Sequence, residues 1–245
     1  MSSDRVIELR GMCIRTKDRV LVRDVDLDVE AGEVTALVGV SGAGKSLTAR
    51  CIMGVIDVEP GLAAGSLRYP AFSGDRDWFD GYVDSGRRGM KRLLRETATL
   101  RGAYFTYSPQ GASSALNPGR TIGRQIELAL TRREQPVQDV AKTVGQVLHS
   151  VGLDPRTAGA LPSELSGGQC QRAALAIAVA PLPRLVIADE PETGLDPVLR
   201  RTVLELLARV CRDYGAGLLL ISHHEETVRR MADRVVRLTP AKEAA

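Results

Sequence analysis

What the chain lacks narrows it first. No apolar run approaches the roughly 20 residues that a membrane-spanning helix needs. The N-terminal MSSDRVIELRGM has no apolar core of the kind a secretory leader carries. The sequence therefore predicts a cytosolic chain, one that can still sit against a membrane protein. Cys13, Cys51, Cys170 and Cys211 are far apart and show no C-x-x-C pairing, so they read as neutral thiols in a reducing compartment. Charge of one sign is lacking too: 33 basic against 30 acidic residues leave a net charge of +3, too small to argue for nucleic acid. Neither an internal repeat nor a low-complexity segment is present. What remains is an ordinary globular composition, 44% hydrophobic and 26% charged, in 245 residues. That length suits one large α/β domain, or a domain with a subdomain.

The stretch around which the chain is organised is EVTALVGVSGAGKSLTARC, Glu33 to Cys51. An apolar strand, Val34 to Val38, enters a turn that reads Gly39-Val40-Ser41-Gly42-Ala43-Gly44-Lys45-Ser46, and a helix-forming segment beginning Lys45-Ser46-Leu47 leaves it. This is the phosphate-binding spacing G-x-x-x-x-G-K-[ST] in its required strand–turn–helix context. Glycines permit positive φ and close approach of backbone N–H groups, so the loop can wrap a phosphate chain at a helix N-terminus. Lys45 would reach the β- and γ-phosphates, and the Ser46 hydroxyl would ligate Mg2+.

Period-2 alternation over residues 5–10 and 20–29 predicts half-buried antiparallel strands. From Asp57 to about Arg101 no periodic pattern is sustained, although Arg87 to Arg95 suggests a basic surface helix and 103–107 a short strand. Helical stretches follow over 121–133, 137–151, near 156–160 and over 168–180. Buried strands are expected at 185–188 and 217–221, helices at 197–213 and about 225–232, and a last strand at 234–238. The alternation predicts an α/β fold of the P-loop type: a mostly parallel core sheet, N-terminal antiparallel strands and an inserted helical subdomain. The expected division is a core of 1–107 and 181–245 and a helical part of about 108–180, together one domain.

Leu185-Val186-Ile187-Ala188 delivers Asp189 and Glu190 at the C-terminal end of a buried strand, where ligands bind in open α/β sheets. Asp189 is suited to hold Mg2+ and Glu190 to polarise an attacking water as general base. Leu165-Ser166-Gly167-Gly168-Gln169 is a second anion site: serine, two glycines and a helix start. One triphosphate needs one cradle, so the second should serve a nucleotide held by another copy or partner.

This set of motifs in this order resembles the nucleotide-binding subunit of ATP-binding cassette (ABC) transporters over nearly the whole chain. The resemblance implies ATP and Mg2+ as ligands and a second cassette as partner, with Ser166, Gly167, Gly168 and Gln169 reaching that cassette's ATP. It implies transmembrane permease subunits, an extracytoplasmic substrate-binding protein, no nucleic acid, and a peripheral position on the cytoplasmic face of the membrane. It makes Gln110 the glutamine that contacts Mg2+ and the water and couples to the membrane partner. It puts Asp196 at the dimer interface, and it makes His223 the histidine that contacts the γ-phosphate, with His224 standing where the family usually has Asp. Tyr107-Ser108-Pro109-Gln110, Ser113 through Pro118 and Ile187 through Pro191 are similar to the peptide and nickel importer branch. There are departures as well. No aromatic stands at Arg15, Thr16 or Lys17 to stack on adenine, and Glu192 replaces a small hydroxyl residue. A non-transport ABC ATPase and a weakly hydrolysing regulatory cassette are the two other classes the motifs admit.

Overall fold

The computed structural model describes residues 4–111, 115–193, 195, 197–224 and 228–241. In chain order the first elements are β1 (Arg5–Thr16), β2 (Val20–Glu30), β3 (Val34–Val38), α1 (Lys45–Ile52), β4 (Pro60–Arg68), α2 (Pro70–Ser73), α3 (Gly86–Glu96) and β5 (Phe105–Ser108). They are followed by α4 (Ile122–Leu130), α5 (Val140–Ser150), α6 (Gly167–Val179), β6 (Leu185–Asp189), α7 (Pro197–Asp213), β7 (Gly217–Ser222) and β8 (Arg234–Arg237). These elements form two compact units. One comprises the chain up to Arg101 together with the chain from Ile221 onward, and the other is Gly102–Leu220.

In the first unit β1 lies between β2 and β4, antiparallel to both. Ile7, Leu9, Met12 and Ile14 stand opposite Val29, Leu27, Val25 and Val22, and all eight are buried. Burying a side chain of this size contributes about 1.5–3 kcal/mol relative to exposure, so this apolar face holds the three strands together. The polar face carries a two-bond ion pair, Arg10 to Asp28, at 2.7 and 2.9 Å. Strand β1 runs six residues beyond the alternation read at 5–10, to Thr16. The register shifts between Leu9 and Met12, where Gly11 has φ 56 and donates its N–H to the Asp26 carboxylate at 2.7 Å, so the period changes phase mid-strand.

The patternless stretch after Asp57 is ordered. Pro60–Arg68 pairs with β1 although it holds no β-branched residue; Gly65 is there because a Cβ would come within 2.7 Å of the Met12 Cα. Its scattered aromatics form a core of their own. Tyr69 and Trp78 pack at 5.3 Å between ring centroids, the Tyr69 hydroxyl donates to the Ile52 carbonyl, and Trp78 Nε1 donates to Ser73 Oγ at 2.9 Å. Helix α3 docks through Met90 and Leu93. Parallel pairing of β3 with β8 completes the unit, Thr35 opposite Arg234 and Val38 opposite Arg237.

In the second unit β5 pairs with β6 in parallel, Phe105 opposite Leu185 and Ser108 opposite Ala188, and β7 is the other neighbour of β6. All residues of β6 and β7 are buried, as continuous apolar runs in parallel strands require. The helices begin at recognisable caps. Thr121 accepts from Arg124 N, Asp139 from Lys142 N, and Ser166 from Gln169 N. The helical stretch expected at 225–232 lies in part outside the described residues. Among the described residues no helix is long and apolar enough to cross a membrane.

Candidate nucleotide site

The phosphate loop follows β3 as the motif requires. Gly39, Gly42 and Gly44 have φ values of +153°, +80° and +92°. Two of these glycines are also forced by contact. A Cβ on Gly39 would lie 2.5 Å from the Leu238 carbonyl oxygen, and one on Gly44 would lie 2.4 Å from Val22 Cγ2. Strand β2 thus presses on the turn, and only glycine lets it do so. Gly44 has no side chain to cap α1, and the first turn of α1 contains no acidic residue. Its N–H groups are left to an anion, whose charge the helix dipole favours.

Lys45 is 6% exposed, and its ammonium donates to the Gly39 and Val40 carbonyls at 2.8 and 3.1 Å. Ser41, Gly42 and Ser46 are exposed, whereas Ala43 and Leu47 are buried. A buried lysine at the head of a helix with exposed hydroxyls beside it suits a phosphate chain and a hard cation. At the positions where an adenine-stacking aromatic is missing, Arg15, next to last in β1, donates its guanidinium to the Asp84 carboxylate at 2.8 Å. Thr16 closes the hairpin through Arg19.

In the second unit Asp189 is 5% exposed at the last position of β6, and its Oδ2 accepts from the Tyr107 hydroxyl at 2.8 Å. Glu190 follows with φ +46°, a left-handed backbone that a residue with a side chain seldom adopts and that gathers at functional turns. The Gln110 amide donates to Glu190 Oε2 at 3.1 Å and reaches Thr193 Oγ1 at 3.4 Å, and Thr193 Oγ1 also lies 3.4 Å from Glu190 Oε2. The structure therefore brings Gln110 and Glu190 together, and it adds Tyr107 and Thr193, which motif reading did not identify. The Tyr107 signal is a register fact: its place opposite Ile187, two steps from the carboxylate, is visible only once β5 and β6 are paired. Gln171 of α6 donates to the Pro191 carbonyl, tying this turn to the helix that starts at the second anion site.

That second site is a capping box. Ser166 Oγ accepts from Gln169 N at 3.3 Å, and Gln169 Oε1 accepts from Ser166 N at 2.9 Å. Gly167 and Gly168 have open space where a Cβ would stand, so their backbone faces outward unobstructed. In the first unit His223 and His224 stack at 3.9 Å between ring centroids, and His224 N donates to Ser222 Oγ at 3.0 Å. Asp196 lies outside the described residues, as do Ser113 and Ser114. Cys51, Cys170 and Cys211 are buried free thiols, and burial pushes all three upward, Cys211 to about 12, which keeps them un-ionised and out of the chemistry.

Comparison with known proteins agrees with this geometry. Residues 22–193 match the model of the family described as ABC transporter. A Brucella ovis protein provisionally named a peptide import ATP-binding protein is 36% identical over 244 residues, covering 96% of this chain and 69% of its own. The oligopeptide transport ATP-binding protein OppD of Lactococcus lactis is 32% identical, covering 96% of this chain and 67% of its own. Among solved structures, cbiO1 of Clostridium perfringens, part of the ABC transporter complex cbiONQ, superposes with a TM-score of 0.74 at 21% identity, covering 96% of this chain and 85% of its own. The cassette MJ0796, a dimer bound to ADP and Pi in a post-hydrolysis state, gives a TM-score of 0.70 at 23% identity, over 95% of this chain and 94% of its own. Strands, phosphate loop, acidic strand end and second anion site thus occur in a chain that belongs to the ABC transporter family, as an ABC-type ATPase.

Proposed function

We propose that the chain is the ATP-hydrolysing subunit of a peptide importer, working at the cytoplasmic face of a membrane against permease subunits. A second cassette and an extracytoplasmic substrate-binding protein complete the machine. Of the two cargoes that the motifs left open, peptide or nickel, the relatives' names favour peptide: OppD of Lactococcus lactis and AppD of Bacillus subtilis are both oligopeptide transport ATP-binding proteins.

The roles follow from the groups present. The backbone of Gly39 to Leu47 cradles the phosphates, and Lys45 exchanges its two carbonyl partners for phosphate oxygens. Ser46, Gln110 and Asp189 hold Mg2+, which when bound neutralises charge on the transferring phosphoryl group. Glu190 takes the proton of the attacking water, and His223 meets the γ-phosphoryl oxygens. Tyr107 holds one oxygen of Asp189 in place. Ser166 to Gln169 serve the partner cassette's nucleotide, with Asp196 at the same interface. Movement passes to the permeases beside Gln110, at the head of the helical block of about 108–180.

The observation that carries this reading is Glu190 itself, turned by a left-handed backbone at the end of a buried strand and held by Gln110. ATP turnover of the purified chain beside Glu190→Gln, with size-exclusion chromatography in saturating ATP, tests it. Loss of a general base removes about 10²–10⁴-fold of rate. The variant should therefore stop hydrolysing and persist as an ATP-bound dimer. An inactive wild type that remains monomeric with ATP would refute the self-sufficient motor and point to a regulatory cassette.

A further inference from the structure

Helix α3 carries a charge pattern that hydrolysis leaves unexplained. Met90 and Leu93 are buried on its inner side, and Arg92 is tied down, donating to Glu96 at 3.0 Å with its guanidinium 5.6 Å from the Tyr82 ring centroid. Arg87, Arg88, Lys91 and Arg95 are all exposed and make no ion pair among the described residues. Arg87, Lys91 and Arg95 follow one another at four-residue steps, and Arg88 stands beside them. At 3.6 residues per turn and 1.5 Å per residue they form one stripe about 12 Å long. Leu94, 38% exposed, borders the stripe next to Arg87. Elsewhere in the same unit Arg5, Arg10, Arg15, Arg50, Arg68 and Arg76 each have a carboxylate within 4 Å. Lys17, Arg19 and Arg23 are exposed without an ion pair among the described residues too, but they are spread over the β1–β2 hairpin, whereas the four on α3 form a single stripe.

We propose that the outer face of α3 docks on anionic lipid headgroups. The choice of a lipid surface over an acidic protein rests on complementarity. The four cations stand on the outer face of a helix, with Leu94 at their edge and exposed Val83 just before the helix as the apolar side chains nearby among the described residues. A specific protein interface needs a desolvated apolar centre and shaped partners. A charged bilayer needs only potential, and long basic side chains reach it while their stems lie along the protein. The proposal leans on the transporter reading in one respect: partner subunits bring this face to a membrane. Each such cation raises partition onto an anionic surface roughly fivefold, so four give a gain of roughly several hundredfold, which salt screens away.

Flotation of the full chain with phosphatidylglycerol–phosphatidylcholine vesicles, beside pure phosphatidylcholine, tests it. The wild type should bind the anionic vesicles only and release in high salt. Replacing Arg87, Arg88, Lys91 and Arg95 together with Gln should lower the partition at least tenfold. Replacing the three arginines with Lys should leave binding intact. ATP turnover and melting of the same variants report on the cassette separately, so loss of vesicle binding with normal turnover concerns α3 alone. Single replacements, each expected to lower partition roughly fivefold, carry the test should the quadruple variant melt early. Wild type that ignores anionic vesicles, or a Gln variant that binds them equally well, overturns the proposal. A Gln variant impaired only in binding purified permease subunits, with vesicle binding unchanged, also overturns it and gives the stripe to an acidic protein face.

Discussion

Gly44→Ala should do more damage than a methyl group suggests, and the structure says where the damage arises. Gly44 has φ +92°, and a Cβ there would stand 2.4 Å from Val22 Cγ2. A left-handed backbone costs a residue with a side chain about 1–2 kcal/mol. Forcing a methyl against a packed, 2% exposed valine costs about 1–3 kcal/mol more. Together the loss is roughly 2–5 kcal/mol, or about 4–20 °C in melting temperature for a chain of this length. Only the steric part involves Val22. Val22→Ala alone should destabilise through the lost packing, but in the double variant the alanine methyl at 44 enters space that the valine has left. Denaturant unfolding of the four proteins should therefore give a favourable coupling of about 1–3 kcal/mol, the φ cost remaining uncompensated. ATP binding should recover in parallel. Additive losses, within about 0.5 kcal/mol, would refute the argument that β2 pressing on the loop is what demands glycine.

Tyr107→Phe deletes a hydrogen bond to a buried carboxylate, worth about 1.5–3 kcal/mol, so turnover should fall about tenfold or more and the Mg2+ midpoint of activity should rise; an unchanged midpoint would make Tyr107 a packing residue. Ser166→Ala should lower stability by about 1 kcal/mol, whereas Ser166→Asp should keep the cap. Both should lose ATP-dependent dimerisation in the Glu190→Gln background, and melting with size-exclusion chromatography separates the two effects. A thiol reagent at mild alkaline pH should label half-exposed Cys13 rapidly and reach Cys51, Cys170 and Cys211 only after unfolding. The folded Cys211 thiol is raised to about 12 by burial, while an unfolded one ionises near pH 8.5. The unfolded state loses its proton first, so stability should be constant below about pH 8.5 and decline above it; a flat profile to pH 11 would contradict the burial.

Legibility in the sequence followed how local the determining forces are. Strand β3, the loop and α1 could be read because apolar run, glycines, Lys45 and Ser46 are contiguous. Residues 185–188 and 217–221 could be read because strands buried on both faces are apolar throughout. Strand β4 could not, since PGLAAGSLR has poor strand propensity and is held by its register with β1 and by the close approach at Gly65. The aromatic cluster of Tyr69 and Trp78 has no periodicity to betray it, because its members come from a turn-rich segment. At the site, motif residues declared themselves while their supports did not. Val22 beneath Gly44 and Tyr107 against Asp189 are neighbours only in space, and Thr193, three residues after Glu190, meets it only because the turn folds back.

The two carbonyls that hold Lys45 bear on how a phosphate can leave. A buried ammonium needs oxygen partners at every moment, and stranding it would cost several kcal/mol. In the proposed cycle Gly39 and Val40 would take the cation back as a phosphate departs, which would make product release a handover between acceptors that never exposes a bare charge. The same arrangement would make nucleotide affinity a difference between two states in each of which the buried ammonium has oxygen partners. The loop can therefore bind and let go repeatedly, as a motor that cycles must, without its lysine becoming either a trap or a point of collapse.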